Sequence, residues 1–158
     1  MTKQISDLPE DLFRLGLKAV ILNDKKQVLL LQSNPNVKTQ IKCQKEYWDF
    51  PGGQINYNET IPQSLKRELC EETALKGLTI LEPIAQTITK IRITPYNRDV
   101  GLIIFAFHSK LKSVNALKLS QEHLNWKWFN PSQLKSVMGN KYDNTFINQI
   151  KKFIITTK

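Results

Sequence analysis

Residues 52–75 read GGQINYNETIPQSLKRELCEETAL, in which a Gly-Gly turn precedes a helix rich in glutamate. At 100° per residue, Glu68, Glu71 and Glu72 fall within an arc of about 100° on one helix face. Like charges at these spacings cost roughly a few tenths of a kcal/mol each, and the dipole near the helix C-terminus disfavours them further. A divalent cation would turn both penalties into binding energy. Clustered carboxylate oxygens suit a hard ion such as Mg²⁺, Mn²⁺ or Ca²⁺.

Capping signals predict the limits of this helix. We expect it to begin at Thr60, because Thr60 and Gln63 have the spacing of a capping box and Pro62 lies in the first turn. Asn58, just before it, is expected to adopt the left-handed backbone conformation that asparagine tolerates. Gly77 is expected to stop the helix.

Composition predicts one soluble domain, residues 1–158, with a core at about 15–155. The chain is 41% hydrophobic and 23% charged. Its longest apolar run, residues 102–107, is too short to cross a membrane, and no secretory signal precedes it. Two cysteines make no disulfide framework, so the cytoplasm is the expected location. The net charge of +9 suits a polyanionic substrate. An equal alternative is that the Lys-rich composition only aids solubility.

The remaining chain alternates strand-like and helix-like segments. A run rich in β-branched and aromatic residues, 100–111, is expected to be buried on both faces. Strands with interspersed helices indicate a mixed α/β or α+β sandwich. The predicted strands are 17–22, 27–32, 47–50, 78–93, 100–111 and 126–129, and the further helices are 130–137 and 143–154.

The opening stretch resembles the Nudix box, whose pattern is G-x5-E-x7-R-E-U-x-E-E-x-G-U, with U an aliphatic residue. Ala74 replaces the last glycine of the pattern. We expect this replacement to affect local backbone strain near the helix end and not the chemistry of the site. The preceding residues 48–53, WDFPGG, resemble the family's entry strand and turn. The resemblance implies an α/β/α sandwich with a mixed sheet, in which the box forms a loop-helix-loop. The matching fixed positions are Gly53, Glu59, Arg67, Glu68, Leu69, Glu71, Glu72 and Leu75.

The resemblance also implies which residues form the site. Glu68 or a later loop residue, Glu122, would act as general base, and Arg67 would orient the carboxylates through a salt bridge. Glu59 and Gly53 would support the site, although Glu59 is equally placed to cap the helix. Glu122 has an exposed loop charge as its equal alternative. The implied ligands for Mg²⁺ or Mn²⁺ are the Gly52 carbonyl, Glu68, Glu71 and Glu72.

Substrate contacts are the least determined part of the site. Basic side chains between residues 90 and 98 would contact phosphates, and the aromatic side chains of Tyr96 and Trp126 would stack on a base. Solvated strand edges and ordinary packing are the alternatives. Cys70 has no histidine nearby in sequence, which gives no case for thiol catalysis. The candidate contacts are Lys90, Arg92, Tyr96, Arg98 and Trp126.

By resemblance, the activity is hydrolysis of a diphosphate linkage in a nucleoside diphosphate derivative. The favoured substrate is a nucleoside or deoxynucleoside triphosphate, cut to the monophosphate and pyrophosphate. Lys90 and Ile91 stand where family members that cut ADP-ribose or diadenosine polyphosphates carry Pro and Tyr, so neither subtype is supported. One alternative is removal of a 5′ pyrophosphate or cap from RNA, which the charge of +9 favours. The other is a non-catalytic nucleotide-sensing module, which retention of all four box glutamates disfavours. The expected partner is thus a diphosphate-containing small molecule, with nucleic acid less favoured and no membrane.

Overall fold

The computed structural model describes residues 11–37, 46–94, 99–139 and 141–157. The predicted elements are all found, with limits shifted by a few residues. The strands are β1 (Phe13–Ile21), β2 (Val28–Ser33), β3 (Trp48–Asp49), β4 (Thr79–Ile93), β5 (Val100–Lys110) and β6 (His123–Phe129), and the helices are α1 (Ile61–Thr73), α2 (Leu134–Met138, after a 3₁₀ turn at Pro131–Gln133) and α3 (Asn144–Thr156).

The strands form two three-stranded sheets. In the first, of order β1-β5-β4, β1 runs parallel to β5 and β4 runs antiparallel to it. The second, of order β3-β2-β6, is antiparallel throughout. The mixed sheet and the α+β class predicted from the sequence are therefore confirmed.

Alternation along β1 places its residues in two different cores, because successive strand side chains point to opposite faces. Leu17, Ala19 and Ile21 pack with Leu65 and Leu69 of α1. The opposite face belongs to a second core, which Val20 shares with β5, the second sheet and α3. The predicted burial of β5 on both faces follows from this layering. The even-numbered residues 14, 16 and 18 of β1 lie on the second face, where the functional cleft opens.

The start of α1 agrees with the capping prediction, and its end does not. The Thr60 hydroxyl accepts from Gln63 N, while Gln63 Oε1 accepts from Thr60 N at 2.8 Å. Asn58 has a φ of 61°, as expected. The helix ends at Thr73 rather than near Gly77, because Ala74 adopts the left-handed conformation with φ 58°.

Hydrogen bonds from a distant loop explain this early end. The carbonyls of Glu72 and Thr73 accept from the backbone N–H groups of Ser120 and Lys118, each at 2.9 Å. These contacts occupy acceptors that a helix end otherwise leaves free.

Among the residues described, no helix has the length and apolar content needed to span a bilayer.

Candidate active site

A cleft of about 420 Å³ lies between the two sheets. The first sheet contributes aliphatic residues such as Leu102 and Ile104, and the second contributes Leu31. The cleft volume lies within the range of small-molecule sites, and such sites combine apolar walls with a few polar groups. The polar and charged residues that line it include Arg14, Lys18, Asp49, Glu68, Glu72, Glu122, His123 and Lys141.

The Gly-Gly turn brings helix α1 against β1. Leu17 N donates to Gly53 O and Ala19 N donates to Pro51 O, both at 2.8 Å. Gly52 has a φ of +123°, and a Cβ there would lie 2.3 Å from the Leu17 carbonyl oxygen. Only glycine fits this position, because both the φ and the close backbone approach exclude a side chain.

Arg67 organises the glutamates of the box. Its guanidinium contacts Glu59 Oε1 at 2.5 Å, Glu68 Oε1 at 2.8 Å and Glu71 Oε2 at 3.0 Å. The hydrogen bonds that Arg67 donates to Glu59 lower the pKa of Glu59 to about 2. Glu59 also accepts from Asn56 N at 2.9 Å. Glu59 thus supports Arg67 and the loop, whereas the side chain that caps the helix is that of Thr60.

The other box glutamates occupy three different environments. Glu72 is buried, and its two oxygens contact Gly52 N at 2.8 Å and His123 Nε2 at 3.1 Å. Glu68 is half-buried, and burial raises its pKa with the help of the neighbouring Glu72 charge. Glu71 is 60% exposed and is not among the residues that line the cleft. Sequence reasoning missed His123, for which no local signal existed.

The donor chemistry at Glu68 and Glu72 fits a hard divalent cation. A Cβ at Gly53 would lie 2.5 Å from the Glu68 carboxylate, so the absence of a side chain at Gly53 lets this carboxylate lie against the turn. Burial and the neighbouring Glu72 charge raise the pKa of Glu68, and a bound cation would act in the opposite direction. In the described parts of the chain, no three acidic, histidine or cysteine side chains already converge as a metal cage.

A buried charge cluster adjoins the box turn, and sequence reasoning missed it. Lys18 Nζ lies 2.9 Å from Asp49 Oδ2, and Lys141 Nζ also contacts this oxygen. Tyr142 Oη donates to Asp49 Oδ1 at 2.8 Å. Burial alone would raise the pKa of Asp49, but the two ammonium groups hold it well below its usual range. The one sequence signal was Lys18 itself, a single charge inside the apolar run LKAVIL.

The predicted substrate contacts fall mostly outside the cleft. Lys90, Arg92 and Trp126 are not among the lining residues. Arg92 instead pairs with Asp11 at 2.6 Å and with Asp99 at 2.8 Å. Tyr96 and Arg98 lie outside the described residues.

Two further charged residues do line the cleft. Glu122 is exposed and faces it, as its proposed role requires. Arg14 also lines the cleft, although no pattern in the sequence pointed to it.

Known proteins share both the sequence pattern and the fold. A family model described as NUDIX domain matches residues 12–150. A protein named RNA pyrophosphohydrolase from Orientia tsutsugamushi (strain Boryong) is 25% identical over 142 residues, covering 84% of this chain and 82% of that protein. A protein named 8-oxo-dGTP diphosphatase from Buchnera aphidicola subsp. Schizaphis graminum is 40% identical over 53 residues, covering 32% of this chain and 41% of that protein. The crystal structure of a MutT protein from Methanosarcina mazei Go1 matches with a TM-score of 0.65 at 23% identity, covering 92% of this chain and 96% of that one.

Proposed function

Because this chain belongs to the Nudix family of hydrolases, which act on diphosphate-containing substrates, we propose that it cuts nucleoside or deoxynucleoside triphosphates. The products are the monophosphate and pyrophosphate. The observation that carries this proposal is the Gly52-Gly53 turn, which sets Glu68 and Glu72 on the wall of a cleft of about 420 Å³. A space of that size suits a small ligand such as a mononucleotide.

The proposed cofactor is Mg²⁺ or Mn²⁺. The residues that would hold it are the Gly52 carbonyl, Glu68, Glu71 and Glu72, all of which offer the oxygen donors that these ions prefer. When bound, such an ion lowers the pKa of a coordinated water and neutralises charge on the phosphate oxygens. The Glu68 carboxylate lies against Gly53, the residue that follows Gly52, and this position supports the assignment.

Glu68 is the proposed general base. It removes a proton from a water whose oxygen bonds to phosphorus, while the P–O bond to the leaving pyrophosphate breaks. Glu68 lines the cleft, where a general base must lie to reach the attacking water. Arg67 holds Glu68 in place at 2.8 Å. Glu122, which is exposed and lines the same cleft, is the alternative base.

Removal of a 5′ pyrophosphate from RNA is the second candidate function. The similarity to the protein named RNA pyrophosphohydrolase extends over 84% of this chain, whereas that to the Buchnera protein named 8-oxo-dGTP diphosphatase extends over 32%. A net charge of +9 also favours a polyanionic chain as substrate. The cytoplasm is the proposed location for either activity.

A substrate panel tests the proposal. Nucleoside and deoxynucleoside triphosphates, ADP-ribose, diadenosine tetraphosphate and a 5′-triphosphorylated RNA are incubated with the protein and Mg²⁺ or Mn²⁺, and released phosphate and pyrophosphate are measured. We expect a triphosphate to be cut fastest. Binding of nucleotide without turnover would indicate a sensing module, and preference for the RNA would favour the second candidate.

Isosteric variants identify the residues that act. Glu68→Gln should lower kcat by at least about 100-fold, because general-base catalysis contributes that much. Glu71→Gln should lower it less, since Glu71 is 60% exposed and does not line the cleft. Glu82→Gln is the matched control, because Glu82 is equally exposed and contacts His108 outside the cleft. Equal activity of all three variants would refute the assignment.

A further inference from the structure

The carbonyl oxygen of Gly52 already has a cationic partner in this chain. Lys18 Nζ donates to it at 2.6 Å, and Lys18 is only 8% exposed. We propose that Lys18 competes with the divalent cation for the Gly52 carbonyl and thereby weakens metal binding to the nucleotide-free enzyme. This inference rests on the proposed function, which makes that carbonyl a metal ligand.

The turn does not need Lys18 to keep its shape. The carbonyls on either side of Gly52, those of Pro51 and Gly53, accept from β1 backbone N–H groups at 2.8 Å. The Gly52 N–H donates to Glu72 at 2.8 Å. The peptide units on both sides of the Gly52–Gly53 peptide are therefore anchored without Lys18, which limits how far the Gly52 carbonyl between them can turn. Lys18 adds a positive charge to this oxygen.

Lys18 is also held firmly where it is. An ammonium group has three donors, and those of Lys18 face the Gly52 carbonyl, the Phe50 carbonyl at 3.2 Å and Asp49 at 2.9 Å. Asp49 is fixed in turn by Tyr142 and Lys141. Few alternative acceptors are thus open to Lys18 if it leaves Gly52.

A metal ion on the Gly52 oxygen must then either displace a charge-assisted hydrogen bond or share one oxygen with an ammonium. Both outcomes weaken metal binding, because like charges repel strongly when solvent is excluded. A bound polyphosphate would add negative charge beside both cations. The metal is therefore expected to bind weakly to the free enzyme and more tightly once nucleotide is present.

Titration of Mn²⁺ alone tests the inference, with free Mn²⁺ followed by electron paramagnetic resonance. Lys18→Met should bind Mn²⁺ about ten- to a hundredfold more tightly than the wild-type chain, as expected when a charge-assisted competitor is removed. Lys141→Met is the matched control. It removes an ammonium from the same carboxylate without a contact to Gly52, and its Mn²⁺ affinity should stay within about threefold of wild type.

Several outcomes would overturn the inference. Unchanged or weaker Mn²⁺ binding by Lys18→Met contradicts competition, and equal tightening by Lys141→Met indicates only a general charge effect. If Lys18→Met does not fold, Lys18→Gln replaces it, since glutamine removes the charge and keeps a donor. A wild-type chain that hydrolyses triphosphates while Lys18→Met and Lys18→Gln leave metal affinity unchanged refutes this inference alone. Absence of Mn²⁺ binding by every variant, with or without nucleotide, refutes the proposed function as well.

Discussion

Replacing Gly53 with alanine should abolish most turnover while leaving the fold intact. A Cβ at this position would lie 2.5 Å from the Glu68 carboxylate, whereas ordinary contact begins at 3.4 Å. The carboxylate must therefore retreat by about 0.9 Å, and its 2.8 Å bond to Arg67 would break or rearrange. A misplacement of about 1 Å in a catalytic group can cost about 100-fold in rate.

The stability of this variant should change little. Gly53 is not among the glycines with positive φ, and the side chain that an alanine would meet is the flexible end of a glutamate. Gly52→Ala differs on both counts, because its φ is +123° and its Cβ would meet the Leu17 carbonyl at 2.3 Å. We expect Gly52→Ala to lose at least about 3 kcal/mol of unfolding free energy.

Two measurements separate these effects. Steady-state kinetics use the nucleoside triphosphate that the wild-type chain hydrolyses fastest, and thermal unfolding is followed by circular dichroism. Gly53→Ala should show a kcat about 100-fold below wild type, with a Tm within about 5 °C of it. Gly77→Ala is the control for backbone strain without a steric clash, because alanine there has a φ of +80° and no atom within 4 Å, and Gly77 is not among the residues that line the cleft. A Gly53→Ala enzyme that keeps a third or more of wild-type turnover would refute the requirement for the observed Glu68 position.

Three further variants address the buried charges, the helix end and the cleft. Asp49→Asn should cost about 3–5 kcal/mol in urea unfolding, because it leaves Lys18 and Lys141 without their buried counter-ion. The folded-state pKa of Asp49 is lowered, so its contribution to the unfolding free energy is present above about pH 4 and is lost as the pH falls further. The loss of stability in acid should therefore be smaller in Asp49→Asn than in the wild-type chain. Ala74→Gly should raise stability by about 0.5–1 kcal/mol, because the exposed Ala74 has a φ of 58°, and an unchanged or lower Tm would contradict this. Arg14→Met should raise KM for the triphosphate about tenfold, with a smaller effect on kcat. Arg14 lines the cleft and has no hydrogen bond or ion pair with the rest of the described chain. The control variant Lys127→Met, at an exposed residue outside the cleft lining, should leave KM unchanged.

Local signals account for what the sequence predicted well. The capping box of Thr60 and Gln63 involves residues three apart, and the apolar stripe of α3 follows helical periodicity, so both could be identified without tertiary information. The end of α1 could not. It depends on hydrogen bonds from Lys118 and Ser120, more than forty residues later in the chain, which let Ala74 take a conformation that glycine would adopt more easily.

The buried charges escaped prediction for the same reason. Asp49 is joined to Lys18 and Lys141, which come from segments 31 residues before it and 92 residues after it. Lys18 stands out as a single charge inside an apolar run, but Asp49 and Lys141 resemble ordinary surface charges, and only the fold brings the three together. Arg92 illustrates the same limit, because the sequence left phosphate contact and a solvated strand edge as equal alternatives, and only the fold pairs this side chain with Asp11 and Asp99.

The electrostatics of the box also differ from the simplest view of a crowded acidic helix. Three of its glutamates share the guanidinium of Arg67, and the fourth, Glu72, accepts from Gly52 N and contacts His123. Protein groups therefore relieve most of the like-charge repulsion before any ion arrives. At Glu68, burial and the neighbouring Glu72 charge nevertheless keep the pKa raised. On the proposed assignment, a divalent ion gains its binding energy at Glu68 while it competes with Arg67 and Lys18, and a nucleotide polyphosphate would supply the negative charge that favours the ion in this competition. If Lys18 and Arg67 compete with the ion as proposed, the same groups that stabilise this turn and helix also make metal binding depend on substrate.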